Sequence, residues 1–257
     1  MRDIFNDIFE NQPKDPMVSA RQGAKTALRK RFYKEARAGA ASDGGHSLLL
    51  DGKPVMTPAR RQLLAPTPAL AEALAEEWQS QETEIDPSRM PLTRLANVVL
   101  DGIAPAPQAV ADEIVKYLGS DLLCYRADEP AALVARQNEL WNPVLDWVRD
   151  EIGARFTLVE GIVFAEQPKE SIEAARRAIP GNPWRLGAMA SVTNITGSAL
   201  IALALNAGAF EADALWAAAH VDEDFQMTQW GRDEAAIERR AARFAEYEAA
   251  ARVLKFT

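Results

Sequence analysis

The chain has 257 residues, a formal net charge of -8 and a pI near 5.0, with 48% hydrophobic and 26% charged residues. The acidic balance argues against a nucleic-acid binder, which needs a clustered basic surface. The single cysteine, Cys124, leaves no intramolecular disulfide and no thiolate cluster, and two histidines, His46 and His220, leave little for imidazole chemistry. No apolar run is long enough to span a bilayer, so neither membrane insertion nor nucleic acid is expected, and the chain reads as cytoplasmic.

Residues 1–24 carry Pro13 and Pro16 without a clear period and are expected to form an arm, in which Phe5 and Phe9 can make one amphipathic turn. From residue 25 to 92 the pattern predicts a small β-rich α+β domain. Arg31 to Ala36 has strand character. Ser47–Leu50 and Lys53–Thr57 flank Asp51-Gly52, a strong hairpin signal, and Gln62–Ala65 adds a strand. Thr67-Pro68 supplies an N-cap and a first-turn proline for a helix running to about Gln81. The two prolines of Ile85–Leu92 mark the expected domain boundary.

Residues 93–257 read as a mainly helical domain. Helices are predicted over Thr93–Asp101 and Gln108–Leu118, and a helix pair over Pro130–Glu151 with a break before Pro143. A β interruption is predicted at Phe156–Leu158 and Ile162–Phe164. Helices follow near 169–179, 184–193 and 197–207, then a long one near 211–230 that Gly231 ends, and a last charged helix capped by Asp233.

Catalytic motifs are sparse. Asp43–His46 and Thr196–Ser198 hold the only candidate phosphate loops, and neither has the spacing or lysine of one. Ser198 lacks a nucleophile elbow, Cys124 sits in an apolar run, and Asp121 reads either as a capping residue or as a catalytic acid. No metal or cofactor is expected. The acids Asp222, Glu223 and Asp224 stand out, because three in a row spread over about 200° of a helix. With Ala214, Ala218, Val221 and Phe225 as the core stripe, Glu223 points away from the core. Trp216, Met227 and Trp230 then lie beside it on a second face kept for a partner. Late in a long helix such acids oppose the macrodipole, so local stability does not account for them.

Arg31-Phe32-Tyr33, Leu50–Pro58, Glu77-Trp78, Met90–Thr93, Asp121–Arg126 and Gln226–Gly231, taken in order, resemble one family. It is the assembly chaperone of the F-type ATP synthase catalytic head that handles the alpha subunit. The resemblance implies a non-enzymatic protein with a β-rich N-terminal and a helical C-terminal domain, bacterial because no targeting segment is seen. It would hold free alpha subunit until beta displaces it. It also implies that the acids before the Gln226-x-x-x-Trp230-Gly231 signature matter. The expected partner-binding set is therefore Asp222, Glu223, Asp224, Gln226, Trp230, Trp216 and Met227. Two alternatives stay open: a small-molecule hydrolase or transferase using Asp121 or the acid cluster, and a scaffold for another complex.

Overall fold

The computed structural model describes residues 28–41, 44–161, 163–230 and 233–257, the side chain of Trp230 excepted. The arm expected over residues 1–24 and the helix end expected at Gly231 lie outside these residues. The chain divides into two compact units at Pro105 and Ala106. As expected, a small strand-containing N-terminal part precedes a mostly helical C-terminal part.

In the first unit, β1 (Arg29–Lys30) pairs antiparallel with β6 (Glu84–Ile85). A four-stranded sheet is built on β3 (His46–Leu50). Strand β2 (Ala36–Ala40) runs antiparallel along one edge of β3; β4 (Lys53–Pro54) and β5 (Leu64–Ala65) pair with the other. The β3–β4 turn is the anticipated one. Asp51 at φ 45° and Gly52 at φ 80° take the left-handed conformations that suit the twist of a two-residue hairpin. Helix α1 (Pro68–Gln79) starts where Thr67 Oγ1 accepts from Leu70 N, and buries Leu70, Ala71 and Leu74 against the sheet.

The strand expected over Arg31–Ala36 does not form. That stretch wraps around the Arg31 guanidinium, which donates to the carbonyls of Tyr33, Lys34, Gln79 and Gln81. Charge-assisted bonds to four carbonyls replace a ladder. The first unit also runs past the boundary expected at residue 92, for a local reason. Glu77 at the end of α1 accepts from Leu92 N at 2.8 Å, Thr93 N at 2.7 Å and Thr93 Oγ1 at 2.5 Å. This ties α2 (Pro91–Val98) to α1. The π-helical turn Val99–Ile103 follows, and Asp101 in it binds Thr57 and Ala59.

The second unit surrounds α7 (Ala199–Asn206). Its Ala-Leu-Ile-Ala-Leu-Ala-Leu run is apolar all round and correspondingly buried all round. It is packed by α3 (Pro107–Leu118), α4 (Ala131–Trp147), α6 (Pro183–Thr196), α8 (Ala212–Ala219) and α10 (Glu234–Phe256). Helix α5 (Lys169–Arg177) lies on α3. The break expected before Pro143 is absent: α4 passes through it and continues as a π-helical turn, Val148–Ile152. Trp141 and Val144, buried on either side of the proline, hold the helix through it. The β interruption also differs. The strand is β8 (Val159–Glu160), parallel to β7 (Tyr125–Arg126), while Leu158, Val163 and Phe164 are exposed and irregular. Among the described residues no helix is long and apolar enough to cross a membrane.

Candidate partner-binding site

The acid cluster begins at a helix break. The long helix expected over 211–230 is two helices, α8 and α9 (Val221–Trp230), with His220 between them at φ -117°, ψ 16°. His220 Nδ1 lies 2.8 Å from the carbonyl of Trp216, the acceptor its own backbone N–H would use in a continuous helix. That N–H turns to Ala217 O instead, at 3.3 Å, and His220 O then accepts from Asp224 N at 2.8 Å to start α9. A ring nitrogen facing a carbonyl carries the proton, so in the neutral ring Nε2 is the unprotonated nitrogen; it is buried without a hydrogen-bond partner among the described residues. Burial first of all holds the His220 pKa below the ordinary imidazole value.

The break reverses the electrostatics expected of the cluster. Asp222, Glu223 and Asp224 occupy the first turn of α9, where carboxylates meet the positive end of the macrodipole and stabilise the helix. Each also has a partner inside the unit. Gln137 on α4 donates to Asp222 Oδ1 at 2.7 Å. Arg240 on α10 pairs with Asp224, and Arg243 Nη1 reaches Glu223 Oε1 at 3.3 Å while its Nη2 donates to Ile195 O at 2.6 Å. The cluster therefore joins α9 to α4 and α10. Gln137, Arg240 and Arg243 carry no motif; only the charged pattern of the last helix pointed toward the two arginines.

The faces differ from expectation too. Trp216, expected on the partner face, belongs to the core. Its ring stacks on His220 at 3.7 Å and meets Phe244 at 5.0 Å and Tyr247 at 5.2 Å. Ala214, expected in the core stripe, is exposed, because the break resets the helical phase. Glu223 and Gln226 are exposed, and Asp222, Asp224 and Met227 are half-buried. This leaves one outward strip of α9 bearing a carboxylate and an amide.

Asp121 is fully buried and accepts from Ser198 Oγ at 2.7 Å, Leu200 N at 3.0 Å and Leu123 N at 3.1 Å. It caps the turn Leu122–Cys124 and ties it to the start of α7, where Ser198 Oγ in turn accepts from Ile201 N. Burial outweighs these bonds and pushes its pKa up to about 6. A group closed from solvent and spent on capping does not meet a substrate. Burial likewise pushes the Cys124 thiol up to about 12, far from a reactive thiolate. No group of three or more metal-ligating side chains occurs among the described residues.

Against known proteins, residues 30–149 match the family described as ATP12 chaperone protein. The whole chain superposes on a candidate chaperone from Agrobacterium tumefaciens at 46% identity and TM-score 0.86, over 97% of that chain. Atp12 from Paracoccus denitrificans is similar at 37% identity and TM-score 0.81, with 89% of this chain and 98% of that one covered. The chain belongs to the ATP12 chaperone family. An Asp-to-Lys mutant of the same Paracoccus protein aligns at 36% identity and TM-score 0.80, covering 89% and 97%. The likeness to the Agrobacterium protein extends over the entire chain, so both units, and the acid-bearing helix α9, fall inside it.

Proposed function

We propose that this ATP12-family chain binds the unassembled alpha subunit of the F-type ATP synthase head in the bacterial cytoplasm. It holds that subunit until beta displaces it and performs no catalysis of its own. Similarity to Atp12 from Paracoccus denitrificans at 37% identity over 89% of this chain carries the reading. A subunit waiting for its neighbour exposes an interface prone to aggregation, and a holder that is later displaced needs an accessible surface with charges to orient the client.

The contact proposed is the outward strip of α9. Glu223 and Gln226 provide the exposed polar groups, Met227 and Trp230 lie along the same helix, and Asp222 and Asp224 fix its position through Gln137 and Arg240. Trp216 supports this surface from inside rather than joining it.

The deciding measurement is light scattering of alpha subunit during refolding. An equimolar amount of this chain should lower the scattering, and beta should then dissolve the complex. Unchanged scattering, or a complex that beta leaves intact, refutes the proposal.

A further inference from the structure

The outward strip of α9 carries a carboxylate and an amide but little apolar surface, because Trp216 is turned into the core. An interface buried permanently between subunits is largely apolar. A holder that covers such a face needs exposed apolar side chains close to its charges. The second unit has them: Leu158 is 46% exposed, Val163 72% and Phe164 68%.

The backbone that carries them is anchored on both flanks. Gln167, itself buried, accepts from Thr157 N at 2.8 Å and donates to Thr157 O at 3.0 Å. Ser171 Oγ does the same for Arg155, accepting from its N at 3.0 Å and donating to its O at 2.6 Å. Between Leu158 and Val163, strand β8 is held against β7. Large apolar side chains presented to solvent from an anchored backbone suit contact with another protein. Beside Leu158 lies a pocket of about 170 Å³, lined also by Asn142, Leu145 and Phe156. That is below the roughly 300–1,000 Å³ of a small-molecule site and suits a single protruding side chain.

This surface is joined to the acid cluster through one peptide group. The carbonyl of Arg126 accepts from Gly161 N at 2.8 Å, and the N–H of Ala127, in the same peptide plane, donates to Gln137 Oε1 at 2.9 Å. Gln137 Nε2 then donates to Asp222 Oδ1 at 2.7 Å. The buried Arg126 side chain holds that peptide in place, its guanidinium donating to Leu123 O, Asn138 Oδ1 and Asn142 Oδ1. Three hydrogen bonds thus set β8 and its flanking apolar residues against the start of α9.

We infer that Leu158, Val163 and Phe164 form the apolar part of the surface that meets the alpha subunit, continuous with the contact on α9. The carboxylate of α9 orients the client, and these side chains cover the apolar face that beta later takes. The inference rests on the reading of alpha as client proposed above.

The test is titration of alpha subunit with the full chain and its variants at about 0.1 M and about 1 M salt, with a thermal melt of each. Wild type comes first; if it does not bind, the reading of alpha as client fails and the inference with it. Given wild-type binding, Phe164→Ser should weaken affinity roughly tenfold at both salt concentrations, the loss of an apolar anchor. Phe164→Leu should keep most of the affinity, and the effect of Glu223→Lys should shrink at high salt. Met56→Ser, which removes an exposed apolar side chain from the first unit, should bind as wild type does. If Phe164→Ser melts early, Val163→Ser decides by the same criteria. Wild-type affinity in a folded Phe164→Ser overturns the inference and leaves the α9 contact standing. An equal loss in Met56→Ser overturns it as well, since the effect is then one of general hydrophobicity. So does self-association of wild type that Phe164→Ser abolishes, which assigns the surface to a second copy.

Discussion

At the scale of single residues, Asp121 makes the sharpest pH prediction. Its pKa is raised from 3.8 unfolded to about 6 folded, so the folded state holds the proton more tightly between those values. The stability this confers is complete below about pH 3.8 and is lost as pH rises through about 6, a change of about 3 kcal/mol. Urea unfolding of wild type and Asp121→Asn from pH 3.5 to 7.5 should show the wild-type advantage shrinking by that order across this window. A constant gap would mean that Asp121 does not titrate on folding. His220 has the opposite sense. Its folded pKa is lowered, so the stability of keeping it neutral is present above its unfolded pKa near 6.5 and fades as pH falls below it. Glu223→Lys separates folding from binding. It breaks a pair whose side chains are about half exposed and places a cation at a helix N-terminus, together about 1 kcal/mol of stability. If Glu223 orients alpha, affinity should fall by roughly 1–3 kcal/mol with the fold retained. Calorimetric melts and alpha-subunit titrations of the same variant check both halves.

At the scale of elements, Pro143 is exposed inside α4 and leaves the carbonyl of Glu139 without its helical donor. Pro143→Ala should raise stability by about 1–3 kcal/mol in denaturant unfolding, with the bond from Trp141 Nε1 to Ala218 O at 2.7 Å retained. The same helix explains what the sequence could and could not reveal. Turns and caps were legible because their signals are local: Asp51-Gly52, Thr67-Pro68 and Asp233, which accepts from Ala235 N, behave as their chemistry dictates. Continuity through Pro143 and the break at His220 were not, because each is decided by partners distant in sequence or by a side chain competing for a backbone carbonyl. The acid cluster was legible as a feature and misread as a placement. Moving it from the end of one helix to the start of another changes its local energetics from cost to gain, so its conformational role in the fold is explained without a partner, and the binding role rests on the outward strip alone.

For the whole molecule, if the proposed recognition of alpha through carboxylates holds, a chain of net charge -8 should associate more slowly as salt rises. Screening contracts from about 10 Å at 0.1 M to about 3 Å at 1 M. Stopped-flow association of alpha across that range should show a falling on-rate with a smaller effect on dissociation. A salt-independent on-rate would place recognition on apolar contacts. The stacked Trp216 and His220 rings add a practical consequence. A histidine lying 3.7 Å from an indole quenches its emission, most strongly when protonated, so Trp216 is a built-in optical sensor at the root of α9. The fluorescence difference between wild type and Trp216→Phe isolates that signal from the other five tryptophans. Any client that tilts α9 against α8 should then register as a change in brightness, with no dye attached.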